Sequence, residues 1–210
     1  MPSIYDLKPR FQALLRPLVR GLAALGVTAN AVTLAAAALS ILAGLALAIF
    51  AGNRASLALL PMVLFLRMAL NAIDGMLARE HHQKSRLGAV LNEVGDVVSD
   101  GALYLALVPA LEPYGAHAAP IVGFVFAALV SEFVGVLGAV VGGKRRYDGP
   151  MGKSDRAAAI GLLAAALAAG APGGVWIDAV MTVLALLAVW TSIRRAQASL
   201  EDATSLGDAP

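Results

Sequence analysis

The chain has 210 residues, of which 59% are hydrophobic and only 14% charged, with a mean hydropathy of +0.77 and a formal net charge of +2. That balance excludes an ordinary soluble domain and points to a bilayer. The absence of cysteine excludes disulfides and thiolate chemistry, and the small net charge gives no reason to expect a nucleic-acid partner.

Residues 1–28 read as an amphipathic juxtamembrane helix. Phe11, Leu14, Leu15, Leu18, Leu22 and Leu25 recur at helical spacing against Arg10, Arg16 and Arg20. No small-residue cleavage pattern marks this stretch as a signal peptide. Apolar runs near 31–51, 55–77, 89–109, 119–142, 156–171 and 173–193 follow, each approaching the roughly 20 residues that cross a bilayer. The fifth, rich in Ala and Gly, is the shortest. The expected fold is an all-α integral membrane protein with six transmembrane helices in one domain, 29–195, followed by a polar, mobile cytoplasmic tail over 196–210.

The turns joining the outer ends are short and rich in Gly, Pro and Asn, as in Gly52-Asn53 and Pro172-Gly173-Gly174. Basic residues collect at the other ends. Lys8, Arg10, Arg16 and Arg20 precede the first span, and Arg79, Lys84 and Arg86 follow the second. Lys144, Arg145, Arg146, Lys153 and Arg156 follow the fourth, and Arg194 and Arg195 close the sixth. Arg54 alone lies on the opposite side and Arg67 lies within the membrane, so both termini are expected in the cytoplasm. Trp176 and Trp190 read as interfacial anchors.

The stretch Asn71 to Asp100 interrupts this oily chain with carboxylates. An ionised carboxylate at mid-bilayer costs at least about 2.5 kcal/mol, so such groups need a cation, a partner or a watery cavity. Asn92, Glu93, Asp96 and Asp100 fall within about a 100° arc of the third span. Arg67, Asn71 and Asp74 share one face of the second. The short link between these spans makes them an antiparallel pair, with Asp74 level with Asn92 to Asp96 and Arg67 level with Asp100. Asp100 is therefore either a salt-bridge partner of Arg67, for which Glu132 competes, or a metal ligand or base. Oxygen donors without Cys suit a hard cation, Mg²⁺ or Mn²⁺, and a hard cation beside many bases suits phosphate-ester chemistry.

Asp74-Gly75, Ala78-Arg79, Gly88 and Asp96 stand at the spacing of D-x2-D-G-x2-A-R-x8-G-x3-D-x3-D, and "GVTANAVT", Gly26 to Thr33, resembles G-[IV]-T-P-N-x-[ILV]-T with Ala29 in place of the proline. On these motifs the chain resembles the CDP-alcohol phosphotransferase family. The resemblance implies transfer of a phosphatidyl group from a CDP-alcohol such as CDP-diacylglycerol to an acceptor alcohol, with release of CMP, in a homodimer whose active site faces the cytoplasm. It further implies two divalent ions, Mg²⁺ or Mn²⁺. Asp74 and Asp96 would be ligands, and Asn71 and Asn92 stand where the family has aspartates. Glu93 and Asp100, on the same helix face, are candidate replacements. Gly75, Ala78, Arg79 and Gly88, with Asn30 and Thr33, would line the nucleotide. Asp96 would take the proton from the acceptor hydroxyl.

The segment "KRRYDGPMGKSDR", Lys144 to Arg156, is by itself a positive-inside anchor. Its Gly-Pro turn and a helix start at Lys153-Ser154, with Ser154 as expected N-cap, also make a phosphate site from Arg145, Arg146, Lys153, Ser154 and Arg156, which leans toward a phosphorylated acceptor. Two other readings remain. Asn71 and Asn92 raise the possibility of a relative that binds nucleotide or lipid without turnover. A cation-coupled transporter would need a polar path outward, and outer segments such as "ALYLALVPA" are almost wholly apolar.

Overall fold

The structure, a computed structural model, describes residues 8–207. Positions 1–7 of the amphipathic leader and 208–210 of the tail lie outside the described residues. Helix α1 (Lys8–Ala24) buries Val19 against α3 and leaves Leu14 and Leu18 exposed, with Leu25 exposed in the turn that follows, the apolar face expected of a helix at an interface. Arg16 holds it to the end of α3 through two bonds of 3.0 Å from Nε and Nη2 to the Glu80 carboxylate.

Side-chain caps start the next three helices. The Thr28 hydroxyl accepts from the Ala31 N–H at the head of α2 (Ala29–Ile49), and Asn53 does the same for Ala55 in α3 (Arg54–Glu80). Ser85 accepts from Gly88 N–H to begin α4 (Arg86–Leu105). Beyond Ala106 the chain continues as α5 (Leu107–Leu111) and a 3₁₀ turn, Glu112–Tyr114, which ends at Gly115 in the left-handed region, φ 82°. Helices α6 (Ala118–Val140), α7 (Lys153–Ala168) and α8 (Trp176–Gly207) complete the chain.

Among the described residues, five segments are long and apolar enough to cross a membrane: Ala29–Ile49, Arg54–Glu80, Arg86–Tyr114, Ala118–Val140 and Trp176–Asp202. The expected sixth is α7, which has 16 residues and so reaches about 24 Å. Helices α6 and α8 run parallel. His117 meets Asp178 at one end of the pair, and Gly135 and Gly138 lie against Arg195 and Ser199 at the other. Helix α7 therefore returns the chain between their opposite ends despite its length. The segment expected as a tail is also different, because α8 continues through Gly207. Buried Arg195 and Ser199, and the pairing of Asp202 with Arg146, integrate its first turns into the bundle.

Helix α2 packs on both α3 and α4, α7 packs on α3, and α6 packs on α4 and α8. The expected close packing of α3 on α4 does not occur. The two run antiparallel with few direct backbone approaches, and α2 lies against both. Its approach to α4 needs Gly44, where a Cβ would stand 2.5 Å from the Ala102 carbonyl oxygen. What remains between α3 with α7 and α4 with α6 is a cleft crossed by side chains.

The two ends of the bundle are filled differently. Away from the basic loops, Leu57, Leu60, Leu64, Leu103, Leu107, Phe124, Ile160, Leu163 and Met181 form the apolar core, with the Tyr104 and Phe124 rings 5.3 Å apart. Phe65, Phe126, Phe133, Leu186 and Trp190 are exposed around the outside, as a lipid-facing surface requires. At the basic end a small apolar cluster around Val32, Ile73 and Leu77 is joined by buried charged groups.

Candidate active site

The site lies at the basic end of the cleft. Helical spacing sets Arg67, Asn71 and Asp74 along one face of α3, and Asp96 and Asp100 face them from α4. Asp74 is buried; its Oδ2 accepts from the Thr33 hydroxyl at 2.8 Å, and its Oδ1 has no partner. Asp74 is close enough to Asp96 and Lys153 for their charges to act on it. Asp96 Oδ1 accepts from Asn71 Nδ2 at 3.1 Å, and Arg67 Nη2 donates to the Asp96 carbonyl at 3.3 Å. The Lys153 ammonium, from the first residue of α7, sits on Asp96 Oδ2.

The second "GVTANAVT" element closes the donor side. Gly88 lets α4 start against Asn30, since a Cβ there would lie 2.8 Å from the Asn30 amide oxygen. Ala29 offers an N–H that the family's proline lacks, and it donates to Gln83 Oε1 at 2.6 Å, latching the α3–α4 link onto α2. Arg79 is exposed and lies over Gly75, its guanidinium 3.0 Å from where a Gly75 Cβ would stand. Ala78 packs against the small cluster of Val32, Ile73 and Leu77.

Several expected ligands are engaged elsewhere. Asp100, fully buried, pairs with Arg67 Nη1 at 2.5 Å and Arg156 Nη2 at 2.9 Å, the salt-bridge arrangement of the two expected for it. Glu93 pairs with Arg145, whose Nε lies 2.7 Å from Oε1 and whose Nη2 donates to Oε2 at 2.9 Å. Glu132 does not take Arg67; it pairs with Arg156 at 2.7 Å, Arg145 at 3.0 Å and Arg195 at 3.5 Å. Burial costs such charges their hydration, and only this multiple pairing offsets it.

The expected phosphate site is likewise occupied by the chain itself. Arg156 has no exposed surface; besides Asp100 and Glu132 it donates to Ser131 Oγ and the Met151 carbonyl. Arg146 forks onto Asp148 at 2.8 and 3.0 Å and reaches Asp202 at 2.6 Å. That guanidinium holds Asp148 below the usual carboxylate range, outweighing the opposing effect of its partial burial. Ser154 is not the N-cap of α7. Gly152 takes that place, its N–H donating to Asp155 Oδ2 at 3.0 Å. Gly149, at φ 103°, turns the loop so closely over Thr191 that a Cβ would stand 2.7 Å from the threonine methyl.

Sequence reasoning missed Arg195 and the structural share of Glu132. Their signal was present: Thr191, Arg195 and Ser199 recur every four residues, and all three are buried. An apolar groove between α6 and α8, lined by Phe126, Val130, Leu186 and Val189, faces outward and carries none of this chemistry.

The donor set can be tested against a divalent cation. Among the described residues, no three His, Cys, Asp or Glu converge as a metal group. The buried Asp74 Oδ1, which has no hydrogen-bond partner, and the Asp96 carboxylate bonded to the Asn71 amide are oxygen donors of the kind that suits a hard cation.

Residues 26–193 match the CDP-alcohol phosphatidyltransferase family. The inner membrane protein YnbA of Escherichia coli K12 is 46% identical over 198 residues, covering 94% of this chain and 96% of its own. A phosphatidylinositol phosphate synthase of Mycobacterium tuberculosis is 31% identical over 102 residues, 47% of this chain and 43% of that one. Among solved structures, a Mycobacterium tuberculosis phosphatidylinositol phosphate synthase in complex with manganese and citrate superposes with a TM-score of 0.71 at 23% identity, covering 88% of each chain. A second, with CDP-DAG bound, gives 0.65 at 22% identity, covering 89% of this chain and 92% of that one. Likeness at this identity establishes the shared fold.

Proposed function

The chain belongs to the CDP-alcohol phosphatidyltransferase family and is an integral membrane transferase of phospholipid synthesis; from that premise we propose how its own residues carry out the transfer. One observation supports the assignment of the site above all. Asp74 presents a buried, unpartnered oxygen into a cleft that Asp96 faces from the neighbouring helix, at the basic end and beside Arg79.

A CDP-linked lipid, CDP-diacylglycerol in the simplest case, keeps its tails in the bilayer and brings its headgroup to this cleft. The basic loops support a cytoplasmic position for the cleft, by the excess of Lys and Arg on that face. Arg79 neutralises the diphosphate, and Gly75 and Ala78 leave room for it near the α3 backbone, with Asn30, Thr33 and Gly88 shaping the wall toward the cytidine. Asp74, Asp96 and the Asn71 and Asn92 amides would hold divalent ions, which would supply positive charge to the diphosphate and to the departing CMP. Asp96 accepts the proton of the acceptor hydroxyl as its oxygen bonds to the lipid-side phosphorus and the bond from that phosphorus to CMP breaks. Lys153 keeps Asp96 aimed until the acceptor arrives.

The test is CMP release by purified protein given CDP-diacylglycerol, Mn²⁺ or Mg²⁺ and a panel of alcohols. Metal-dependent release that requires Asp96 supports transfer; no release with any acceptor in either metal overturns it. A second reading, binding of the CDP-lipid without turnover, draws support from the Lys153 ammonium on Asp96 and from the two asparagines. Saturable CDP-diacylglycerol binding without any CMP selects it.

A further inference from the structure

We infer that this cleft takes one divalent cation, not two, and that the Lys153 ammonium stands where a second would lie; the inference rests on the site proposed above and sets how many ions it holds. Lys153 opens α7, and its Nζ lies against Asp96 Oδ2. Its charge also reaches Asp74, on the opposite helix. One cation is thus shared by carboxylates of α3 and α4, the position a bridging metal ion would have.

The oxygens that remain open suit a single ion. Asp96 Oδ1 accepts from Asn71 Nδ2 at 3.1 Å and has Arg67 Nη2 3.7 Å away, so both oxygens of that carboxylate already face donors of the chain. Asp74 Oδ2 accepts from Thr33 at 2.8 Å. Asp74 Oδ1, buried and without a hydrogen-bond partner, is the carboxylate oxygen of this pair that nothing in the chain answers. One or two carboxylates, with substrate phosphates completing the shell, are enough for Mg²⁺.

Charge points the same way. Two divalent ions about 3.5–4 Å apart repel each other, and anionic oxygens between and around them must offset that repulsion. Asp74 and Asp96 supply two negative charges, Lys153 cancels one, and Asn71 and Asn92 offer neutral oxygens only. One divalent ion leaves this group one positive charge in excess, which the diphosphate of the CDP-lipid offsets; a second ion would leave three. The neighbouring ion pairs carry no excess negative charge, since Arg67, Arg145, Arg156 and Arg195 stand against Asp100, Glu93 and Glu132. Asp74, bonded to Thr33, therefore keeps its ion on the donor side, and Lys153 keeps a tethered positive charge at Asp96, on the side of the basic loop.

The test counts Mn²⁺ on the full chain in nanodiscs of zwitterionic lipid with CDP-diacylglycerol and no acceptor alcohol. Electron paramagnetic resonance reads the loss of the free-ion signal and the broadening that two neighbouring ions cause in each other; empty nanodiscs of the same composition are subtracted. The wild type is expected to bind one Mn²⁺ per chain without broadening. Asn71→Asp with Asn92→Asp is expected to bind that one ion about ten-fold more tightly, and adding Lys153→Met to the pair is expected to admit a second, with broadening. If the triple variant does not fold, Lys153→Met alone is expected to gain a second, weaker ion. Two ions on the wild type, coupled or apart, overturn the inference and leave the transfer reaction standing. No saturable Mn²⁺ on the wild type overturns it together with the place of Asp74 as a ligand. A second ion while Lys153 is still present, or none gained when it is removed, overturns the part given to the ammonium. The count needs no turnover, so failure of every alcohol to release CMP ends the transfer reading without deciding the number of ions.

Discussion

The two ends of the bundle show what different contacts do in the same membrane. The interior of the far end is closed by Leu107, Phe124, Ile160 and Met181, side chains no more apolar than the lipid outside, so it is held by shape, with His117–Asp178 and Tyr114–Gly52 as polar contacts at its rim. The basic end is closed by six carboxylates against six cations, which hold firmly while paired and can be opened one partner at a time. A reaction site belongs at the second end, where a substrate charge can replace an internal one.

Five substitutions or conditions sharpen that contrast, in descending order of effect. Asp96→Asn removes the group that takes the hydroxyl proton. It should lower CMP release by about 10²–10⁴-fold, and the loss of its Lys153 pair leaves the helical circular dichroism unchanged. Arg156→Met takes from Asp100 and Glu132 a shared guanidinium with no exposed surface, and should cost about 3 kcal/mol in denaturant or thermal unfolding. At the other end, Phe124→Leu removes an aromatic contact without stranding a charge or opening a large cavity. Its loss should be smaller, about 1 kcal/mol from the ring pair; if the two variants unfold alike, charge pairing is not what closes the basic end.

Asn71→Asp with Asn92→Asp adds anionic oxygen around Asp74 and Asp96 and should tighten Mn²⁺ binding, read by electron paramagnetic resonance. Weaker binding would show that these positions are not ligands. The smallest effect is one of pH. Asp148 titrates below its unfolded value because Arg146 stabilises the ionised form. Its contribution is therefore complete above about 3.9, the unfolded aspartate value, and disappears as pH falls further through the folded one. Amide exchange in the 141–152 loop should quicken over that acid range and not between neutral pH and 5.

The polar faces of α3 and α4 were legible from spacing alone: Arg67, Asn71 and Asp74, and Asp96 and Asp100, do face one another across the cleft. The pairing of Arg67 with Asp100 also followed, because helix rise sets the level of groups on antiparallel helices. Less was legible where loops decide. The sequence shows Arg145, Arg146 and Arg156 as three free cations near a helix start, and nothing local reveals that Glu93, Asp148 and Glu132 complete them. The place of α2 was hidden as well, since hydropathy does not say which face of an apolar helix meets protein and which meets lipid.

By itself the sequence determined that this chain is a helical membrane protein, which of its ends is basic, and which motif residues share a helix face, because hydropathy, charge placement and helical period are properties of neighbours along the chain. Only the tertiary structure decided which carboxylate answers which cation. That depends on how each helix is rotated about its axis and where the Lys144–Gly152 loop folds back, and those are settled by packing among segments up to a hundred residues apart.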